Sequence, residues 1–193
     1  MTSFFVDARQ VERDRWISVA IDISNGKLVA SMTPTKSAKE ALGYINKIVQ
    51  RLHRSDYPVK EYSSSHVIEI TNRLWQLFQG YGQEFKMEEI STDGWTAARI
   101  EITQKLLQIP RGSVISYGAL AKRAQSSPRG VGSVMASNPL PLAVPCHRVI
   151  HIDGRIGKFG RSIKGSVMKA ALLRAEGVPF RKKDVVEESA IIK

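Results

Sequence analysis

Ser116-Tyr117-Gly118-Ala119-Leu120-Ala121-Lys122-Arg123-Ala124-Gln125-Ser126-Ser127-Pro128-Arg129-Gly130-Val131-Gly132-Ser133-Val134-Met135-Ala136-Ser137-Asn138-Pro139 reads as two short helices joined by a tight turn. Ser116 stands where a cap would accept the orphan N–H groups of the first helix. Gln125-Ser126-Ser127 is the turn. Ser127 caps the second helix and Pro128 opens it, where the missing N–H of proline costs nothing. The second helix runs to about Ser137, and Asn138-Pro139 ends it. This is a helix-turn-helix pattern, which occurs in many helical pairs that never touch nucleic acid. Its composition adds something. Gly130, Ser133 and Ser137 lie at i, i+3 and i+7, so one stripe is nearly free of side chains. Such a stripe packs tightly on a neighbouring helix, or it approaches a nucleic-acid groove with Arg129 projecting near its N-terminal end.

Outward on the C-terminal side, Leu140-Pro141-Leu142-Ala143-Val144-Pro145-Cys146-His147-Arg148-Val149-Ile150 holds the only cysteine of the chain. A lone cysteine is commonly a small buried hydrophobe. Here Pro145 fixes the backbone entering Cys146. His147 and Arg148 would put positive potential beside the sulfur, which lowers a thiol pKa and favours the reactive thiolate. A sulfur fed by a DNA-docking helix cannot reach a base inside the duplex, so the nucleotide would have to be flipped out. Arg129 could then fill the vacated stack or hold the orphaned partner base.

The chain has 193 residues, enough for one large domain or two small ones. Its 42% hydrophobic and 24% charged content is that of a soluble globular protein. A single cysteine forms no internal disulfide and excludes a multi-cysteine zinc site, which suits a reducing cytoplasm. The N-terminus lacks the charged flank and apolar core of a signal peptide, and no apolar run is long enough to span a membrane. The net charge of +11 fits either a polyanion partner or plain basic solubility.

Residues 1–92 read as an N-terminal structural α/β unit around a small antiparallel sheet. Trp16–Ile23 alternates as a half-buried strand, Asn25-Gly26 is a hairpin turn, and Lys27–Met32 returns. Ser37 to about Arg54 has helical spacing, with Ser37 and Glu40 set as a capping box. Asp56–Ser65 is a polar loop. Val67–Phe78 is ambiguous, since Ile68-Glu69-Ile70 could begin a strand while Leu74, Leu77 and Phe78 favour a helix. Phe85-Lys86-Met87 is a short strand in a linker. The second unit, 93–178, begins near Trp95 with a helix over Thr96–Ile109, followed by Pro110 and an extended piece at Ser113–Ile115. Residues 179–193 are a charged tail, ending in a short helix or frayed. His151 is exposed beyond the strand that follows Cys146. Trp16, Trp75 and Trp95 are expected in the core.

Pro145-Cys146-His147-Arg148-Val149 resembles the signature of the O6-alkylguanine-DNA alkyltransferases, the methylated-DNA–protein-cysteine methyltransferases. The likeness takes in Ile109-Pro110-Arg111-Gly112-Ser113-Val114-Ile115-Ser116-Tyr117-Gly118, Arg129-Gly130-Val131-Gly132, Asn138-Pro139, Lys169, Leu172-Leu173 and Glu176-Gly177. It covers roughly residues 95–178. It implies an α/β (α+β) protein with a ribonuclease-H-like N-terminal domain. The C-terminal domain would be mostly helical and winged-helix-like, with its helix-turn-helix in the minor groove rather than the usual major groove.

The same resemblance implies a DNA-repair activity: transfer of the alkyl group from O6-alkylguanine, and from O4-alkylthymine, in duplex DNA to Cys146. The thioether has no route back, so the protein is a suicide enzyme that acts once. Cys146 would be the acceptor, and His147 the base that takes its proton through a bound water. Glu176 would orient and charge-balance His147, and Tyr117 would hydrogen-bond guanine N3. Lys169 would assist protonation or stabilise the thiolate, and Asn138 would hold the recognition helix to the cysteine loop. DNA contacts would come from Arg129, Tyr117, Ser127, Gly130, Ser133 and Arg148. The base pocket would use Met135, Val149, Phe159, Gly160 and Ser162, with the Cys146 and Val149 carbonyls reading the exocyclic amine. No cofactor or metal is implied. The partner is double-stranded DNA with a flipped base, not a membrane. The protein is expected to be monomeric and cytoplasmic, nucleoid-associated or nuclear.

The chain departs from the family's pattern at Gly157–Gly165, where Phe159 replaces the usual tyrosine. Gly160 and Ser162 both remain candidates for the O6 contact, and Arg161 and Lys164 for phosphate contacts. Two other functions bear comparison. Relatives that bind alkyl lesions without reacting carry tryptophan at the position of Cys146. Alkylation-sensing helix-turn-helix regulators carry further cysteines, and this chain has none.

Overall fold

The structure, a computed structural model, describes residues 4–53, 65–159 and 165–193. The polar loop expected from Asp56 lies outside them up to residue 64. The described residues form two compact units, and the architecture is α+β as expected. No described helix is long and apolar enough to cross a membrane.

The first unit takes Met1–Phe78, Gly82–Gly94 and Pro139–Ala143. Its sheet has strands β1 (Phe4–Glu12), β2 (Arg15–Asp22) and β3 (Leu28–Ser31) in the order β1-β2-β3, all antiparallel. β1 carries no strand signal in the sequence, because Phe4, Phe5 and Val6 are consecutive and do not alternate with polar residues. β2 is buried on both faces from Ile17 to Asp22 rather than half-buried. Its polar residues are tolerated there because each is satisfied. Ser18 Oγ donates to the Ala41 carbonyl at 2.9 Å, and the Asp22 carboxylate accepts from Ser24 and Asn25.

Helix α1 (Ala38–His53) packs Ile45 and Val49 against Phe4, Val6, Ala20 and Ala30 of the sheet. Its Ser37 hydroxyl accepts from the Glu40 N–H at 3.2 Å, as the capping pattern predicts. Helix α2 (Ser65–Phe78) resolves the ambiguous segment. Val67, Ile70, Thr71, Leu74 and Leu77 are buried at helical spacing, while Ile68 turns outward.

The expected strand at Phe85–Met87 does not form. Arg73 of α2 donates to the Gln83 and Glu84 carbonyls and lies 4.0 Å over the Phe85 ring. Glu89 closes a 3-10 turn, Met87–Glu89, by accepting the Lys86 N–H at 2.7 Å. The segment's hydrogen bonds are thus used locally.

Pro139–Ala143 belongs to this first unit although Asn138 and Val144 belong to the second. The Ser31 N–H donates to the Pro139 carbonyl at 2.9 Å, and Ser31 Oγ donates to the Pro141 carbonyl at 3.0 Å.

The second unit takes Gln79–Tyr81, Trp95–Asn138 and Val144–Lys193. Helix α3 (Ala97–Leu107) is capped by Thr96, whose hydroxyl accepts from the Arg99 N–H. Strand β4 (Val114–Ser116) leads into α4 (Tyr117–Arg123), and α5 (Pro128–Ala136) completes the helix-turn-helix. Ser116 and Ser127 cap these helices as the sequence predicts, accepting from the Ala119 and Gly130 N–H groups. A 3-10 turn, Cys146–Arg148, runs into β5 (Val149–Ile150). Helix α6 (Gly165–Ala175) follows.

The tail is ordered rather than frayed, and its short helix, a 3-10 turn at Glu188–Ala190, is followed by a final strand. Strands β6 (Phe180–Lys182) and β7 (Val185–Val186) pair with each other, and β8 (Ile191–Ile192) joins β4 in parallel. The sheet order is β5-β4-β8. Its apolar residues explain the order. Val178, Val186 and Ala190 are buried with Val114, Ile150, Ile156 and Leu173 in one core.

Trp16, Trp75 and Trp95 are half-buried rather than core residues. Trp75 stacks on Phe78 at 5.5 Å, and Arg99 lies 5.3 Å from the Trp95 ring.

Candidate active site

Cys146 opens the 3-10 turn that leads into β5, with its N–H donating to the Val144 carbonyl at 2.7 Å. The side chain is 7% exposed. Asn138, just beyond the end of α5, donates from Nδ2 to the Val144 carbonyl at 3.1 Å and to Cys146 Sγ at 3.1 Å. One amide group therefore joins the recognition helix to the cysteine loop and supplies a donor to the sulfur. That donor favours the thiolate.

His147 and Arg148 are both 2% exposed. His147 Nε2 lies 2.8 Å from Glu176 Oε1. Arg148 donates from Nε to Glu176 Oε2 at 2.9 Å, from Nη2 to Oε1 at 2.7 Å and from Nη1 to the Ile109 carbonyl at 2.7 Å. Burial alone pushes the Glu176 carboxyl up. Its bonds with His147 and Arg148 more than reverse this and hold it at about 2. An ionised carboxylate only accepts, so Nε2 of His147 carries a proton. Burial pushes the His147 pKa down against the pull of Glu176, so the ring is neutral at pH 7 and Nδ1 is left basic. Nδ1 is buried with no hydrogen-bond partner among the described residues.

This arrangement corrects two expectations. The resemblance places Arg148 on DNA, but it is buried and spent on Glu176. A guanidinium this deep is stable only when paired. The positive charge beside the sulfur comes from Lys169 rather than from His147 or Arg148. Lys169, 1% exposed on α6, donates from Nζ to the Val149 carbonyl at 2.6 Å. Burial brings its pKa down to about 8, with the Cys146 charge opposing. The thiol itself is pushed up, not down. Burial dominates, and the Asn138 bond and the Lys169 charge offset only part of it.

Cys146 lines a cavity of about 550 Å³ with Tyr117, Gly132, Met135, Ala136, His151, Gly157, Lys158 and Phe159. Tyr117, Met135 and Phe159 are therefore brought to the sulfur. The Phe159 ring stands edge-on to His147 at 6.4 Å. Burial raises the Tyr117 pKa, as does the Cys146 charge, so its hydroxyl keeps its proton and can donate. Val149 is fully buried, and its carbonyl already accepts from Lys169. The Cys146 carbonyl accepts from the Val149 N–H. Gly160 and Ser162, with Arg161 and Lys164, lie outside the described residues.

On α5, Arg129 and Ser133 are exposed and Gly130 is half-buried. Ser127 is exposed but its hydroxyl is engaged as the helix cap. Ser137 does not extend the small-residue stripe. The helix ends at Ala136, and the Ser137 hydroxyl accepts from Arg99 and donates to the Ser133 carbonyl.

His151 is a residue that sequence reasoning places outside the site. It is exposed, as expected, yet it lines the cavity with its ring 5.6 Å from that of Tyr117. Gly157 makes room for it. A Cβ there would fall 2.7 Å from His151 Nε2, and the φ of +70° is one that glycine tolerates. No spacing signal could reveal this, since a turn folds residue 157 back on residue 151. A larger cavity of about 610 Å³, between α4, Ile152 and the tail, includes none of the residues expected to react.

Residues 97–178 match the family model described as 6-O-methylguanine DNA methyltransferase, DNA binding domain. A methylated-DNA–protein-cysteine methyltransferase of Thermococcus gammatolerans is 34% identical over 168 residues, covering 86% of this chain and 91% of that protein. A DNA base-flipping protein of Thermus thermophilus is 35% identical over 130 residues, covering 67% of this chain and 86% of that one. Among solved structures, the O6-methylguanine-DNA methyltransferase of Pyrococcus kodakaraensis superposes with a TM-score of 0.67 at 27% identity, over 91% of this chain and 99% of that one.

Proposed function

The chain belongs to the O6-methylguanine DNA methyltransferase family, and from that premise and the geometry around Cys146 we propose that it repairs DNA by taking the alkyl group of O6-alkylguanine onto this sulfur. O4-alkylthymine presents the same alkyl–oxygen bond and is included as a second substrate. The observation that carries the reading is the Asn138 N–H held 3.1 Å from Sγ, beside a His147 whose Nε2 is fixed on Glu176.

His147 Nδ1 takes the thiol proton, relayed by a water because adjacent side chains diverge. The thiolate attacks the alkyl carbon. A C–S bond forms as the C–O6 bond breaks, and the electron pair leaves with the base. Tyr117 donates to guanine N3 as negative charge develops there, which lowers the barrier to departure. The thiol need not be acidic at rest. Burial that raises its pKa also leaves the thiolate poorly solvated and strongly nucleophilic once formed.

α5 is proposed to lie in the minor groove with Gly130 and Ser133 at the contact and Arg129 in the vacated stack. Met135, Val149 and Phe159 would line the base pocket. Gly160 and Ser162 remain the candidates for the O6 contact. The protein is proposed to act as a monomer wherever the chromosome is, in the cytoplasm at the nucleoid or in a nucleus. It is read as having an N-terminal domain over 1–92, the reacting domain over 93–178 and a tail thereafter.

A second reading, lesion binding without transfer, is not favoured, since this chain carries a cysteine at position 146. One measurement separates the two. The protein is incubated with a duplex carrying a single O6-methylguanine and its intact mass is read. The expected result is a gain of one methyl group, absent in Cys146→Ala. Tight binding without a mass gain would establish the second reading instead.

A further inference from the structure

The loop that delivers Cys146 is pinned at two levels. At its neck, Asn138 reaches across to the Val144 carbonyl and to the sulfur. At its crown, Pro139–Ala143 is part of the first unit. β3 is an edge strand of that unit's sheet, and its last residue, Ser31, is fully buried. Ser31 holds the crown through two carbonyls, Pro139 by its N–H at 2.9 Å and Pro141 by its hydroxyl at 3.0 Å. Prolines offer no N–H, so both bonds must run in this direction.

The crown needs holding. Leu142 has a φ of 76°, a left-handed conformation that a leucine adopts only when its surroundings impose it. Leu140 and Leu142 are buried, 0% and 3% exposed, so the loop cannot relax by turning a side chain outward. A loop strained at its crown and closed at its neck by one amide will shift that amide if the crown moves.

We propose that Ser31 is a positioning residue for alkyl transfer. Its two hydrogen bonds fix the crown of the 139–143 loop, and through the chain they set Asn138 Nδ2 against the Cys146 sulfur. This rests on the reading of Cys146 as the reacting nucleophile. It gives the first unit, which contributes no reacting group among its described residues, a part in the chemistry.

The test is Ser31→Ala, which removes the hydroxyl bond and keeps the backbone one. Three quantities are compared with wild type: alkyl transfer from an O6-methylguanine duplex and from free O6-benzylguanine, duplex affinity, and the pH profile of Cys146 modification by iodoacetamide. Transfer from both substrates should fall by about tenfold, as expected for a nucleophile displaced by a fraction of an ångström. Duplex Kd should stay within about twofold of wild type. The thiol midpoint should move to higher pH as the Asn138 bond weakens. A lowered melting temperature with unchanged transfer and an unchanged thiol profile would reduce Ser31 to a structural residue and overturn the proposal. If wild type bound the duplex but transferred nothing, the family reaction would fail for this chain. The iodoacetamide profile would still decide the clamp.

Discussion

Arg148 grips Glu176 with both arms of its guanidinium, Nε on Oε2 at 2.9 Å and Nη2 on Oε1 at 2.7 Å, and both side chains are nearly sealed from solvent. The pair lets one carboxylate serve His147 without an uncompensated buried charge. Removing one member leaves the other charged and buried, which costs on the order of 3–5 kcal/mol. Arg148→Met should therefore lower unfolding free energy in urea by about that amount. It should leave duplex affinity nearly unchanged. A large loss of DNA binding in a fully folded Arg148→Met protein would return this residue to the DNA interface.

Acid should expose the same relationship. Glu176 is held at about 2, below its ordinary value. A group depressed in the folded state stabilises it fully above the unfolded pKa, near 4.3, and ceases to do so as pH falls through the folded one. The stability gap between wild type and Glu176→Gln, measured by urea midpoints, should be widest near neutral pH and close between about pH 5 and 2. A gap that stays constant over that range would mean Glu176 is not held ionised.

Lys169 is the cation that acts on the sulfur. Replacing it by methionine keeps the packing and removes the charge, so the Cys146 thiol should titrate at higher pH. Each unit of that shift lowers the thiolate fraction at neutral pH by about tenfold. Iodoacetamide modification against pH reads it directly. An unmoved midpoint would leave Lys169 with only its bond to Val149.

Asn138 supplies the side-chain hydrogen bond to the sulfur. A bond to a charged acceptor is worth roughly 1.5–3 kcal/mol, or about 10- to 100-fold in rate. Asn138→Ala should slow transfer by that factor on duplex and free base alike, because the sulfur is common to both reactions.

Arg129 should behave in the opposite way. It is exposed at the start of α5 and is not among the residues lining the cavity with Cys146. Arg129→Ala should slow transfer from the duplex by at least about tenfold and from free O6-benzylguanine hardly at all. Equal losses on both substrates would remove its part in flipping. Duplex binding should weaken as salt rises, with a log–log slope of about −0.9 for each phosphate neutralised.

Much of the site is legible in the chain itself. Pro145-Cys146-His147-Arg148 and Glu176 are legible through their resemblance to the family's motifs, and Ser116, Ser127 and Pro128 mark helix starts by local rules. The capped helices form where these residues place them because capping depends on neighbours within a turn. The same locality fails for β1, the tail and α2. A strand's partner and a helix's buried face lie far along the chain, so Phe4-Phe5-Val6 and Ile191-Ile192 give no sign of the strands they join.

The residue types of the reaction, then, are determined by sequence, and their environments by tertiary structure. That Arg148 is buried, that the thiol is pushed up rather than down, and that His151 reaches the cavity all depend on which groups surround each side chain. Desolvation and pairing are properties of a three-dimensional neighbourhood. The sequence by itself determined that a cysteine, a histidine and a glutamate were present for the chemistry. Only the fold decided that Glu176 would be shared with Arg148, and that a serine more than a hundred residues upstream would donate to the Pro141 carbonyl.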